Sequence, residues 1–278
     1  MKTLKDHVIL YDAACPMCNL YTNGFIKAGM LDGKGRVPYQ QMPDNLAAVI
    51  DMERCVNEIA LVDKTTGEVQ YGIESLFQII GNSFAFLQSL FRNRAFYKIA
   101  DTAYKMVSFN RRVIVPAKKD QTSNGLNSPS FHRTYRLAFL LLTWIFTSVI
   151  LYKYNLRLAA ILPPGGLFRE SAVCGGQILW QLAVLIRIRK GMAWDYLGTM
   201  MTVSFAGAIL LGLGLTAGKL AGLSSPFFYL LFFTGVVFLM FLEHIRRTRI
   251  LGLSWKLTAS WVLYRVFILL ILLNPFYA

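Results

Sequence analysis

His7-Val8-Ile9-Leu10-Tyr11-Asp12-Ala13-Ala14-Cys15-Pro16-Met17-Cys18 passes directly from an apolar, β-branched run to two cysteines three positions apart. The run over 7–12 reads as a short buried strand. Pro16 suits a first helical turn, where its missing N–H costs nothing. Leu20, Phe25 and Ile26 carry the apolar positions on to breaks at Gly29 and Gly33-Lys34-Gly35, so a helix is expected from Cys15 to about Gly29. One helical turn brings both sulfurs to the same end, where a disulfide can close with little strain. That end is electropositive and offers unpaired N–H groups, which favour thiolate over thiol at the first cysteine. Cys15 is therefore the candidate nucleophile and Cys18 the candidate resolving thiol.

Asp12, at the strand end, is the third candidate site residue. It either caps the following turn or moves protons to and from the thiols and sets their acidity. A carboxylate raises a nearby thiol's pKa and so opposes the helix dipole. Half a zinc site is the competing use of the cysteine pair. Zinc wants four ligands, and Cys55, Cys174, His7, His132 and His244 show no paired spacing. Redox chemistry is the preferred reading, with metal binding and two idle buried thiols as the alternatives; no cofactor beyond the Cys15/Cys18 disulfide is expected.

Outward from this stretch, 37–41 reads as a second strand, 46–50 as a short helix, and 59–63 with 68–71 as two strands joined by a tight turn. From 74 to about 113 the pattern turns helical. The order β-α-β-α-β-β-α is that of a compact α/β domain over 1–115. A polar stretch over 116–133 reads as a linker, and 134–278 as a second domain of another kind.

The charge balance separates the two domains. Of the 29 Lys+Arg and 15 Asp+Glu, residues 134–278 hold 13 cations but only Glu170, Asp195 and Glu243. Apolar runs at 137–152, 172–186, 194–216, 226–242 and 257–273 fall in the same region. Spanning a bilayer takes about 20 residues. Five transmembrane helices are expected, four if the short second run does not cross. The basic residues flank these runs instead of lining a polar face, which argues for a lipid bilayer and against nucleic acid as a partner. Arg187, Arg189, Lys190, Arg246, Arg247, Arg249 and Lys256 outweigh the alternate loops, which places the N-terminal domain in the cytoplasm of a bacterial-type inner membrane. Met1 to Asp6 is polar and 8–11 is too short for a signal core, so that domain is expected to be made before any membrane segment emerges.

Asp12-x-x-Cys15-x-x-Cys18 after an N-terminal strand resembles the DCC family of predicted thiol-disulfide oxidoreductases, a divergent thioredoxin-like group. Tyr104-Lys-Met-Val-Ser-Phe-Asn110-Arg111 is similar to the helix that closes that domain, so the resemblance covers roughly 5–115. It implies a thioredoxin-like fold and disulfide oxidoreduction on a protein or small-molecule disulfide, with a thiol electron donor still to be identified. One departure is the lack of a proline in Cys55-Val56-Asn57-Glu58, before the strand expected to face the pair. The expected protein is an α/β thioredoxin-like domain followed by an all-α transmembrane bundle, acting as a membrane-anchored thiol-disulfide oxidoreductase. A quinone-linked electron conduit and a non-enzymatic anchored binding module are the alternatives.

Polar residues inside apolar runs are functional candidates. Gln177 and Gln181 share a helix face and bond either a neighbouring helix or a quinone, the helix being preferred. Arg265 either snorkels or pairs with Glu243, and Gly175-Gly176 beside Cys174 signals close helix packing. Cys55 reads as a small buried residue.

Overall fold

The computed structural model describes residues 2–116 and 130–273. The chain divides into two compact units, Met1–Arg136 and Leu137–Ala278. Most of the expected linker lies outside the described residues, and its last residue, Arg133, already begins a helix.

In the first unit, strands β1 (His7–Tyr11), β2 (Arg36–Pro38), β3 (Ala60–Asp63) and β4 (Val69–Tyr71) form one sheet in the order β2-β1-β3-β4. β1 runs parallel to β2 with Leu10 opposite Val37, and antiparallel to β3 with Ile9 opposite Leu61. The unbroken apolar run of β1 has a physical reason: both of its faces are covered. Val8 and Leu10 pack with Tyr39, Ile50, Cys55, Val56, Ala60 and Val62. Ile9, on the opposite side of the pleat, packs with Leu4, Leu31, Ile59, Leu61 and Ile79. Ile9 and Leu10 are fully buried, and each such side chain contributes about 1.5–3 kcal/mol.

Helix α1 (Pro16–Lys27) follows β1 and returns the chain to β2. The expected second strand stops at Pro38, because Tyr39–Gln41 winds into a 3-10 turn that buries Tyr39. The short helix expected over 46–50 lies earlier, as α2 (Asp44–Ala47). A helix absent from the sequence reading follows, α3 (Met52–Asn57), capped by the Asp51 carboxylate on Arg54 N at 3.1 Å. The β3–β4 turn is closed by Asp63, which accepts from Thr65 N at 2.8 Å, and by Gly67 at φ +75°.

The long helical stretch expected from 74 is three helices: α4 (Ile73–Ser83), α5 (Gln88–Phe91) and α6 (Arg94–Ile114). The break follows Gly81-Asn82-Ser83, where Asn82 and Ser83 both donate to Lys2 O instead of serving the helix. Asn93 then caps α6 by accepting from Ala95 N and Phe96 N.

Gly72, which opens α4, has φ +63° and ψ −129°, a conformation that suits only glycine. An added Cβ there would lie 2.8 Å from Glu58 Oε2 and 3.2 Å from Tyr104. Gly72→Ala is expected to cost about 1–3 kcal/mol. The check is the thermal midpoint of the purified chain, which should fall.

The second unit is built on α7 (Arg133–Asn155), α8 (Leu167–Arg189), α9 (Ala193–Leu220), α10 (Pro226–Ile250) and α11 (Lys256–Leu273). All five are long and apolar enough to cross a membrane. The marginal second run is a helix of 23 residues, about 35 Å at 1.5 Å per residue. Its ends run past the apolar core, and in the first turn Glu170 is paired with Arg169 at 2.7 Å. α9 packs on α8 and α10, and α11 on α8 and α10. Small residues bring the helices close. A Cβ on Gly207 would collide with Met240 Sδ, and one on Gly176 would collide with Tyr264 Oη. The packing role expected of the glycines beside Cys174 is present at Gly176.

Candidate functional site

Tight packing of β1 delivers Asp12 and then Cys15 to the N-terminus of α1. Cys15 is the N-cap residue itself: its sulfur accepts from Cys18 N at 3.3 Å, and Pro16 occupies the first turn. Cys15 and Cys18 are 4% and 3% exposed, and both are free thiols packed with Tyr11, Met17 and Tyr21. Thr22 Oγ1 donates to Cys18 O at 2.7 Å and fixes the first turn from below.

Asp12 is 2% exposed and fully engaged. Its Oδ1 accepts from Ala14 N at 3.0 Å and from Gln40 Nε2 at 2.8 Å. Its Oδ2 lies 3.3 Å from Arg111 and 3.7 Å from Arg112. The turn-capping role expected of Asp12 is present at Ala14, but helix α1 is capped by sulfur.

Arg111 is the residue whose role the sequence reading missed. It reaches from α6 with its guanidinium buried, donating to Val56 O at 2.7 Å, Asn57 O at 3.1 Å and Asp12 Oδ2 at 3.3 Å. Ser108 Oγ also donates to Asn57 O, and Tyr104 Oη accepts from Ile59 N at 3.0 Å. The backbone leading into β3, where the sequence lacks a proline, is therefore bonded inward to α6. Spacing offered no signal for this, since Arg111 and Asp12 are 99 positions apart. Only the resemblance of Tyr104…Asn110-Arg111 pointed to that helix.

The electrostatics divide the two thiols. A hydrogen bond from the Cys18 thiol lowers the Cys15 pKa, burial raises it, and Cys18 N–H with the Arg111 charge lower it further; Asp12 pushes back, and the balance is about 6. Cys18 moves the other way, because it is the donor to Cys15 and because it is buried. Burial alone would disfavour the Arg111 cation, but the two sulfurs and Asp12 hold it charged. An acidic thiol at a helix N-terminus beside a guanidinium, with a protonated thiol one turn on, can attack a disulfide and then resolve the product. Alkylation of Cys15 by iodoacetamide should therefore rise with pH through a midpoint near 6, well below that of an ordinary thiol, and level off above it. Mass-resolved labelling of the reduced protein measures this; a midpoint near that of a free thiol refutes it.

Cys55 is 2% exposed, and burial pushes its thiol up to about 12, with Arg111 offsetting this only in part. Among the described residues, no three His, Cys, Asp or Glu side chains converge as a metal site.

In the second unit, Gln181 bonds neighbouring helices. Tyr196 Oη donates to its Oε1 at 2.8 Å, and its Nε2 donates to Ser260 Oγ at 3.3 Å. With the phenol proton committed to Gln181, His244 Nε2 donates to Tyr196 Oη at 3.2 Å, and Thr258 Oγ1 lies 3.0 Å from Nδ1. The chain Thr258–His244–Tyr196–Gln181–Ser260 thus leaves α11, crosses α10, α9 and α8, and returns to α11. The expected Arg265–Glu243 pair does not form. Glu243 is held by Arg246 and Arg247 of its own helix at 2.6 and 2.7 Å, and Arg265 lies 4.0 Å over the Trp261 ring.

These features define a membrane protein with five apolar helices and a small mixed α/β unit at its N-terminus, the latter holding a buried dithiol beside a guanidinium–carboxylate pair. Comparison with models of protein families, with characterised proteins and with solved structures finds no match to the chain.

Proposed function

We propose that the protein is a membrane-anchored thiol-disulfide oxidoreductase working through Cys15 and Cys18. The observation that carries this reading is the Cys15 sulfur, placed as the cap of α1 and accepting the Cys18 N–H at 3.3 Å. The Cys15 thiolate attacks one sulfur of a substrate disulfide. That bond breaks, a mixed disulfide forms, and the departing sulfur leaves as a thiolate that takes up a proton. Cys18 then gives up its proton and attacks Cys15 Sγ, releasing the second substrate thiolate and leaving the Cys15/Cys18 disulfide. The substrate has gained two electrons, and a thiol donor returns two to the pair. Asp12 and Arg111 are positioning residues in this scheme, setting the charge around the sulfurs.

The sheet order, the strand–turn–helix that carries the pair and the helix bearing Tyr104 and Arg111 support a thioredoxin-like domain of DCC type. The backbone before β3 is bonded inward to α6, with Asn57 O accepting from both Arg111 and Ser108 and Val56 O from Arg111, so part of its acceptor capacity is already committed. This favours a substrate gripped by other contacts. The excess of cations over 187–190 and 246–256, at the ends of α8 and α10 and the start of α11, supports a cytoplasmic N-terminal domain, where glutathione and thioredoxin systems favour reduction of the substrate.

The test is a redox titration of the purified full chain in nanodiscs against glutathione and dithiothreitol buffers, followed by thiol counting by mass. A single two-electron couple at Cys15 and Cys18, between roughly −300 and −100 mV, is expected. A pair that stays reduced across the whole range overturns the proposal.

A further inference from the structure

Outside the thiol site, the corner where α5 turns into α6 combines exposed apolar side chains with a run of cations. Phe86 and Leu90, one helical turn apart, are 75% and 42% exposed. Gln88, Ser89, Arg92, Asn93, Arg94 and Lys98 around them are exposed as well. From Ser75 to Ala100 the chain contains no Asp or Glu, while Arg92, Arg94 and Lys98 give it three positive charges. The corner is also firmly built. Phe91 beneath it stacks on Phe77 at 4.1 Å between ring centres, and Phe96 stacks on the same ring at 5.9 Å. Asn93 caps α6 directly between the two arginines.

Beside the corner lies an open hollow of about 400 Å³ whose walls include Gln78, Asn82, Gln88, Arg92 and Tyr97. Its one carboxylate, Glu74, accepts from Tyr97 Oη at 2.8 Å. A protruding aromatic and an aliphatic side chain, ringed by cations, match the two layers of a lipid surface. The apolar tips enter the acyl boundary, and the cations meet anionic phosphates. The chain carries its own route to such a surface, since α7 to α11 are long and apolar enough to place it in a bilayer.

We infer that the α5–α6 corner is an interfacial docking site for an anionic phospholipid surface, with Phe86 and Leu90 as the inserted side chains and Arg92, Arg94 and Lys98 as the phosphate contacts. This assignment does not depend on the chemistry proposed for Cys15 and Cys18. Docking would hold the first unit against the membrane through a second point besides the covalent connection to α7.

The experiment is hydrogen–deuterium exchange of the full chain in nanodiscs of phosphatidylcholine alone and of phosphatidylcholine with phosphatidylglycerol. The β3–β4 turn serves as internal reference. Exchange over 84–96 is expected to slow by about tenfold or more in the anionic discs relative to the neutral ones. The double variant Arg92→Gln/Arg94→Gln should lose that difference, and Phe86→Ser/Leu90→Ser should lose protection in both lipids. These side chains are exposed, and unchanged exchange in the reference turn and in β1 shows that the variants remain folded. Equal exchange in the two lipids at low salt overturns the inference. So does protection that survives Arg92→Gln/Arg94→Gln and appears only when another protein co-purifies, which would make the corner a protein-docking surface.

Discussion

Replacing Cys15 by serine is expected to reduce disulfide turnover by about a thousandfold or more, since the hydroxyl is no nucleophile at neutral pH. Replacing Cys18 by serine should give a different failure. Cys15 remains acidic enough to attack, but nothing resolves the product, so the protein accumulates as a mixed disulfide whose added mass identifies the substrate half. The asymmetry follows from the geometry. Cys15 accepts from the Cys18 thiol and, at 3.3 Å, from the Cys18 N–H, and is drawn to a pKa of about 6, whereas Cys18 is shifted up. Both variants are to be assayed in the purified full chain against a model disulfide. Retained turnover in Cys15→Ser, or a mixed disulfide on Cys18 in Cys15→Ser, would defeat the assignment of nucleophile.

Removing Arg111 is the second change with a large effect. Its side chain and that of Asp12 are 4% and 1% exposed, so neither charge can turn to water when the other is lost. Arg111→Met leaves the Asp12 carboxylate buried with Arg112 3.7 Å away as its remaining cation. It also strips donors from Val56 O and Asn57 O. Breaking a buried pair in this way costs about 3–5 kcal/mol, measured as a fall in the unfolding midpoint of the first unit. Asp12→Asn combined with Arg111→Met should recover part of that loss, because it removes the orphaned charge. The thiol provides a readout that a merely structural role would leave still. Arg111 lowers the Cys15 pKa and Asp12 raises it. The alkylation midpoint of Cys15 should therefore rise in Arg111→Met and fall in Asp12→Asn. Shifts of the same sign, or none, would show that the pair serves the fold alone.

The parts of this fold that were legible in the sequence are those written in neighbouring residues. The apolar run 8–11, Pro16 after Cys15 and the Gly67 turn each specify backbone over a few positions, and β1, α1 and the β3–β4 hairpin formed where they were expected. The five apolar helices were visible for the same reason, although their ends run past the apolar runs because charged and small residues continue the helical ladder. α3 escaped notice because its six residues are too few to show a period, and its only cue was Asp51 as a cap. The break after Ser83 was hidden for a related reason: Asn82 and Ser83 leave the helix for Lys2 O, a contact 80 positions away. Of the site, Cys15, Cys18 and Asp12 could be singled out by spacing. Gln40 and Arg111, which hold Asp12, could not, because the sheet and α6 bring them in from distant sequence. Arg265 shows the converse error, where two opposite charges on neighbouring elements invited pairing. Glu243 had nearer arginines on its own helix.

The loop of side chains from Thr258 through His244, Tyr196 and Gln181 to Ser260 begins and ends on α11, which follows α8, α9 and α10 in the chain. Until α11 arrives, His244 Nδ1 and Gln181 Nε2 lack their partners in a solvent that offers no replacement. The last of these helices to emerge therefore satisfies polar groups on α8 and α10, and a chain cut before residue 256 leaves that polarity facing hydrocarbon.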